Sequence, residues 1–165
     1  MAGHNQCYCF DTSAFIILHR EYPRELYPDL WPAFERIMDG GLVSSPREVL
    51  RELQAKASAP PIEWTKRWWE KIHDDDDNAT ARVVQENGRI QKMMSNSQSA
   101  ANATTPKADP FVVALALRKG LTVVSNELAT GGAQKIPKVC RDLNINCLTL
   151  QGMFQRQHWT FRLVE

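Results

Sequence analysis

Apolar positions along the chain fall into short unbroken runs separated by longer stretches with helical spacing. Residues 7–10 are an apolar run with aromatic content and predict a strand. A helix follows over 12–20, capped at its start by Asp11, Thr12 or Ser13. Residues 22–28 hold two prolines and predict a loop. Over 29–39, Leu30, Trp31, Phe34, Ile37 and Met38 recur at helical spacing, and Gly40-Gly41 stops that helix. Residues 42–45 predict a second strand. Pro46 then sits where a first helical turn tolerates proline, with Ser45 as cap, and the helix runs to about residue 57. A break at 58–61 precedes a helix over 62–72 with Trp64, Trp68 and Trp69 near one face. The acidic run 74–77 reads as a solvated loop and helix cap. Next come a helix over 79–94, a polar loop over 95–107, and an apolar helix over 109–119 ended by Gly120. The chain closes with a strand over 121–124, a glycine-containing loop over 130–135, a helix over 136–143, a strand over 146–150 and a helical turn over 151–156.

Short strands alternating with helices predict βαβ units, hence an α/β fold with a parallel sheet covered on both faces. The 165 residues suit one domain, with a core over about 7–154 and a tail over 155–165. No glycine-rich loop follows any strand, which argues against a dinucleotide or P-loop nucleotide site. Lys and Arg number 20 against 19 for Asp and Glu. The chain as a whole therefore carries no basic footprint, and contact with a nucleic acid would rest on a local patch. The four cysteines include Cys7 and Cys9 on one face of the first strand, and no CxxC is present, so buried thiols are expected rather than a zinc site. The first residues lack a basic region followed by an apolar core, and no apolar stretch reaches the ~18 residues that span a membrane. The expectation is a cytoplasmic protein with reduced thiols and no membrane association.

Charged residues stand at one kind of address. In open parallel sheets, sites form beyond the carboxyl ends of the strands. Asp11 lies at that end of the first strand and Glu127 just past that end of the third. Asp109 opens the helix that leads into the third strand. Glu48 and Glu52 lie on the helix after the second strand, four residues apart and so on one helix face. Asp11, Asp109, Glu127 and Glu48 or Glu52 can therefore converge on one rim. No basic residue lies within 11–15 or 109–117 to neutralise the two aspartates locally. Carboxylates gathered without cations repel unless a divalent metal joins them. Each also has a plainer role, as helix cap or solvated acid. Of the histidines, His19 lies two turns after Asp11 and reads as structural or substrate-facing; none is placed as a general base. Arg47 and Arg51 flank the glutamates, Lys107, Arg118 and Lys119 bracket the Asp109 helix, and Lys135 and Lys138 follow Glu127. Together these could meet phosphates.

Four segments carry a resemblance to a known family. Phe10-Asp11-Thr12-Ser13 resembles the opening of PIN domains. The stretch from Ser45 through Glu48 and Glu52 to Leu53 resembles their second acidic segment. Ala108-Asp109-Pro110-Phe111 resembles the third, and Val123-Val124-Ser125-Asn126-Glu127 the fourth. The order fits, and the similarity is nearest to a bacterial PIN-like branch of unknown function related to VapC-type toxins. It implies a three-layer α/β/α fold with a short central parallel sheet of four to five strands. It also implies a ribonuclease dependent on Mg2+ or Mn2+, the toxin of a toxin–antitoxin pair. In that reading Asp11, Glu52, Asp109 and Glu127 are catalytic, with Glu48 as an alternative second acid. Ser13, Ser125 and Asn126 support the carboxylates, and Arg47, Arg51 and Lys107 bind RNA. An antitoxin that covers the acidic groove and a homodimer are the implied partners, with Trp31 and residues 64–69 offering apolar area for a core or an interface. Glu127 stands where the wider family more often has Asp, and the segment 59–105 is longer and more polar than in minimal PIN toxins. The competing readings are a catalytically degenerate binding module and a metal-dependent nuclease acting on DNA.

Overall fold

Strand β1 (Tyr8–Phe10) is solvent-inaccessible at every residue, and this sets the plan of the molecule. A strand buried on both faces needs cover above and below, which helices on a parallel sheet provide. The computed structural model describes residues 7–55, 62–74, 76–98, 107–127 and 132–163. After β1 come α1 (Thr12–Glu21), α2 (Leu30–Asp39), β2 (Val43–Ser44), α3 (Arg47–Ala55) and α4 (Ile62–Ile72). Then follow α5 (Asp77–Glu86), α6 (Gly88–Gln98), α7 (Asp109–Lys119), β3 (Thr122–Val124), α8 (Ile136–Asp142), β4 (Cys147–Leu148) and α9 (Leu150–Arg156). The four strands are all parallel in the order β2-β1-β3-β4, and the fold is a three-layer α/β/α arrangement.

Helix α7 is the central one. Val112, Val113, Ala114, Leu115 and Ala116 are buried in unbroken succession, so the helix is apolar all round rather than amphipathic. It packs against β1, β3, α5, α6 and α8. Pro110 is tolerated in its first turn, and Gly120 ends it in the left-handed conformation (φ 67°), its N–H donating to the Ala116 carbonyl. On the other side of the chain, α2 packs on α4, and α3 on α1 and α4. Trp31 and Trp68 are buried in the core and Trp64 and Trp69 are half-buried against it. His19 is held between the rings of Trp31 and Trp64, at 4.7 and 4.4 Å, with Nδ1 3.0 Å from the Phe15 carbonyl oxygen. It is structural. Cys9 and Cys140 are buried and Cys7 and Cys147 half-buried, all as free thiols.

Three expectations from the sequence need correction. The helix expected over 79–94 is two helices. Asn87 takes an extended backbone, and its side-chain oxygen accepts from the N–H groups of Arg89 and Ile90 at 3.1 Å. A short polar side chain that caps the next helix thus outcompetes continuation of the last one. That second helix runs on to Gln98, into the stretch expected as loop over 95–107; most of the remainder, with the break at 58–61 and the start of the 130–135 loop, lies outside the described residues. Asp74 is the third. Asp76 does cap α5, accepting from Ala79 N at 2.9 Å. Asp74, however, is only 2% exposed, and is not solvated at all. It accepts from Arg118 through both oxygens (2.7 and 2.6 Å), from Thr80 at 2.9 Å, and pairs with Lys119 at 3.0 Å. Burial pushes its carboxyl up, but the Lys119, Arg118 and Thr80 contacts outweigh burial and hold it at about 2. Arg118 and Lys119 are therefore committed here, at the far end of α7 from Asp109. The tail beyond Arg156 also packs: Trp159 and Phe161 lie against Phe154, and Phe161 against Tyr27.

The two ends of the acidic run should respond differently to substitution. Asp74→Ala removes the carboxylate on which Arg118 and Lys119 converge and leaves the buried Thr80 hydroxyl without its acceptor. It should cost about 2–3 kcal/mol, less than for a fully buried pair because both cations reach solvent. Asp76→Ala removes only a cap and should cost ~1 kcal/mol. Urea unfolding checks this, with the midpoint shifted and the slope unchanged.

Candidate functional site

Strand register determines where the acids stand. Phe10 pairs with Val124, so Asp11 and Ser125 leave adjacent strands at one level; Cys9 pairs with Ser44, so Ser45 stands one residue lower, level with Phe10, whose carbonyl its hydroxyl meets at 2.8 Å. The chain steps from β1 outward to β2, and from β3 outward to β4 on the opposite side. The direction of winding thus reverses between β1 and β3, and open α/β sheets form a crevice at such a switch point.

Asp11 sits in that crevice, 3% exposed. Its own N–H donates to the Val124 carbonyl at 3.1 Å, which ties it to β3. Its Oδ1 accepts from Ala14 N (2.9 Å) and Ser13 Oγ (2.7 Å), and its Oδ2 from Ser125 Oγ (2.7 Å). Burial pushes its carboxyl up to about 6; the Ser125, Ser13 and Ala14 hydrogen bonds oppose this, and the charge of Glu127 adds to it. Asp109, in the first turn of α7, is pushed up to about 7 by burial and then by the charges of Glu127, Asp11 and Glu52. Among the described residues no donor meets its carboxylate.

Glu52 is the glutamate of α3 that belongs to this group. Its Oε1 accepts from Ala108 N at 2.8 Å and its Oε2 from the Thr12 hydroxyl, so it joins the starts of α7 and α1. Glu48, one turn earlier, is also buried, yet the charges nearest it are those of Asp77, Arg47 and Arg51. Burial raises its pKa, and Asp77 adds to that. Glu127 carries the fourth carboxylate: Oε2 accepts from Ile136 N at 3.0 Å and Oε1 lies 3.5 Å from Lys135 Nζ. Ser13 and Asn126 serve as braces. Asn126 N donates to Ser13 Oγ at 3.0 Å, and Asn126 Oδ1 accepts from Leu150 N at 3.0 Å, holding β3's exit to α9.

The cations divide unevenly. Arg47 is exposed and pairs with Asp77 at 3.5 Å, while Arg51 is exposed on α3. Lys138 pairs with Asp142. Lys107 and Lys135 line a cavity of about 200 Å³ together with Asp109, Pro110 and Gln134. A second cavity, of about 620 Å³, begins at Ser125, Asn126 and Glu127 and runs outward past β4. The acid rim is thus flanked by a small lysine-lined recess and a larger pocket. Thr12 and the outer residues of the larger pocket, such as Arg141, Ile145 and Asn146, were not legible as site residues. Thr12 stood next to Asp11, where its hydroxyl read only as a helix cap, and the pocket forms between elements remote in sequence.

The donor set suits a hard dication. Every candidate ligand is an oxygen, among the described residues no donor meets the Asp109 carboxylate, and the carboxyls of Asp11 and Asp109 are raised first by burial and then by neighbouring acids. Among the described residues no three His, Cys, Asp or Glu side chains form a ready-made cage. Mg2+ does not need one, since it keeps several waters and is held by one or two carboxylates. Asp109 and Asp11 fit that description, with Glu127 and Glu52 near Asp109.

A family model described as "Domain of unknown function (DUF4411)" matches residues 8–161, and the chain belongs to that family. No curated protein matches it significantly.

The acid cluster should be visible as a pH dependence of stability. Between pH 8 and 6.5 the folded chain takes up a proton at Asp109, with its carboxyl at about 7. The unfolded chain, with an ordinary carboxyl, does not. The folded state then binds more protons, so metal-free stability rises as pH falls through this window. His19 acts oppositely at the lower end of the window: burial holds it at about 4 while unfolded imidazole is half protonated at ~6.5, which offsets part of the rise. Asp74, at about 2, contributes no slope here. In EDTA the melting temperature of the parent should rise by at most a few degrees from pH 8 to 6.5, because Asp109 is only half-buried. Asp109→Asn should flatten the profile and melt higher than the parent at pH 8. A parent profile already flat over this window would rule out the mutual repulsion described here.

Proposed function

We propose that this DUF4411 family member is a metal-dependent endoribonuclease that hydrolyses RNA phosphodiester bonds with Mg2+ or Mn2+, in the role of a toxin restrained by an antitoxin. The observation that carries the reading is the gathering of Asp11, Glu52, Asp109 and Glu127 at the sheet's switch point with Lys135 as their nearest cation. Such a cluster costs stability unless a cation offsets the repulsion. When bound, a hard divalent cation supplies charge neutralisation at a phosphate and an acidified water.

The chain's own residues supply the rest. Asp11 is aimed by Ser13 and Ser125, so its position depends on two hydroxyl donors rather than on a cation. In the absence of metal Asp109 is partly protonated at neutral pH and Asp11 takes up its proton nearer pH 6; these protons must leave before a dication is bound, so affinity falls as pH drops. Glu52 sets the spacing between Asp11 and Asp109 by bridging Thr12 and Ala108. In this reading Lys107 and Lys135, which line the recess with Asp109, would meet phosphates, whereas Arg47 is partly committed to Asp77 and Arg51 stands beside Glu48. Glu127, held by Ile136 N, is the outermost acid and orients groups through water. RNA as substrate, an antitoxin as inhibitor and a homodimer as assembly belong to this proposal.

One observation favours a second reading, a binding module without catalysis. The oxygens of Asp11, Glu52 and Glu127 already accept hydrogen bonds from the protein. A degenerate site would be satisfied in this way and need no metal.

Asp11→Asn separates the two. Asn keeps the cap oxygen for Ala14 N, so the fold should survive with metal-free melting level or slightly raised. It loses the charge a dication needs. Cleavage of RNA with Mn2+ should fall by more than the roughly 10–100-fold that loss of an outer-shell partner costs. Mn2+ should raise the melting temperature of the parent and not of the variant. A parent that gains nothing from Mn2+ and matches the variant in both assays would leave only the binding module. Cleavage of the DNA of the same sequence in place of RNA would assign a deoxyribonuclease.

A further inference from the structure

The larger cavity is not explained by the acids alone. It has a volume of about 620 Å³, within the range of ligand pockets, and abuts Glu127 at its inner end. Its floor is apolar: Pro137, Ile145 and Leu148 are half-buried there. Its rim is polar: Arg141 and Asn146 are exposed at one side. Asn126, at the inner end, spends its carbonyl oxygen on Leu150 N and keeps its amide N–H groups to donate. Tyr22 offers only its hydroxyl edge, which accepts from Gln151 Nε2 at 3.3 Å, because its ring is packed against Tyr27 and Phe154. An aliphatic floor with hydrogen-bonding groups at the edge suits a nucleobase, whose faces are apolar and whose edges carry donors and acceptors. A duplex cannot present one, because its bases are stacked and paired; a single strand can.

Two placements give the pocket a direction. At its inner end, Ser125 and Glu127 belong to the acid rim. Next to that rim, Lys107 and Lys135 line the smaller recess with Asp109, and Lys135 reaches Glu127 at 3.5 Å. A chain with a base in the larger pocket would run its next phosphate across the acids and meet the lysines beyond.

We propose that the cavity between the end of α1, α8 and β4 binds one unstacked nucleoside of a single-stranded RNA and thereby sets the adjoining phosphodiester on the acid rim. This deepens the nuclease reading and rests on it for what happens at the phosphate, but the binding itself requires no catalysis.

The test is fluorescence anisotropy in EDTA, so that nothing is cut, with a labelled ten-nucleotide single-stranded RNA and its duplex as probes. The parent should bind the single strand roughly tenfold or more tightly than the duplex. Asn146→Trp fills the pocket from an exposed position and should weaken single-strand binding roughly tenfold, with melting unchanged. Arg141→Ala should weaken it less, and Lys107→Ala should weaken both probes alike, as a phosphate contact does. Photocrosslinking of the same strand carrying 4-thiouridine, mapped by peptide mass, should label the segment 137–151 and does not depend on any variant. No binding by the parent, equal binding of strand and duplex, undiminished binding by Asn146→Trp, or crosslinks elsewhere overturns the proposal; in the third case the pocket takes something else, such as a protein side chain. The nuclease reading fails separately. If Asp11→Asn abolishes cleavage while Asn146→Trp changes neither binding nor cleavage, the metal site stands and the base pocket falls. If no cleavage occurs at all but Asn146→Trp loses the strand, the pocket stands and the nuclease falls.

Discussion

A carboxylate buried where two strands part is the constraint around which this molecule is arranged. Asp11 lies 3% exposed at the junction of β1 and β3. Burying a charge there is tolerable only if its oxygens are met. They are, by one backbone N–H and two serine hydroxyls, from α1 and from the end of β3. The same residue caps α1 and hydrogen-bonds β3 through its own N–H. Local helix start, strand pairing and acid placement are thus a single requirement. Shifting β1 by one residue against β3 would break all three together.

The second requirement is that the helices around this junction hold other acids close without losing their own termini. Glu52 does this by serving as a donor sink for two helix starts, taking the Ala108 N–H and the Thr12 hydroxyl. An anion near helix N-termini is favourable on its own account. Glu52 is therefore stabilised by backbone dipoles while it raises the pKa of Asp109. Asp109, also in a first turn, gains the same dipole but no donor among the described residues. A side chain that gains least from its surroundings and is repelled most is where local rules give way, and such departures concentrate at functional sites.

Much of this was legible in the chain and some was not. The strands, the Asp11 cap and Gly120 follow from apolar runs, capping and glycine chemistry, which act over a few residues, whereas Ser45, expected as the cap of α3, instead donates its hydroxyl to the Phe10 carbonyl at 2.8 Å. Asp11, Asp109 and Glu127 were readable because each stands at a strand end or helix start. The choice between Glu48 and Glu52 was not, since both share one helix face. It is decided by which turn of α3 faces the starts of α1 and α7, a tertiary matter. Asp74 was misread for the same reason. Its partners, Arg118 and Lys119, lie more than forty residues away, and nothing within the acidic run distinguishes it from Asp76. Asn87 was missed because a continuous helical period outweighed one polar residue before a glycine.

The near balance of charge in the composition conceals how the charges are spent. Arg118 and Lys119 converge on one buried aspartate, Asp74, whose carboxyl they hold far down. Arg89 is likewise used to tie α6 to Asp142 and to the Gln134 side chain. At the switch point the ratio is reversed: four carboxylates share the neighbourhood of Lys135, which pairs with Glu127 and only partly offsets the rise at Asp109. Moving a cation from Asp74 to the acid rim would lower the repulsion there at the cost of a buried unpaired charge elsewhere. The fold instead keeps its strong pairs where they secure α5 against α7, and leaves the rim short of positive charge. The deficit is local, set by which helix ends meet at the crevice, and no count over the whole chain can reveal it.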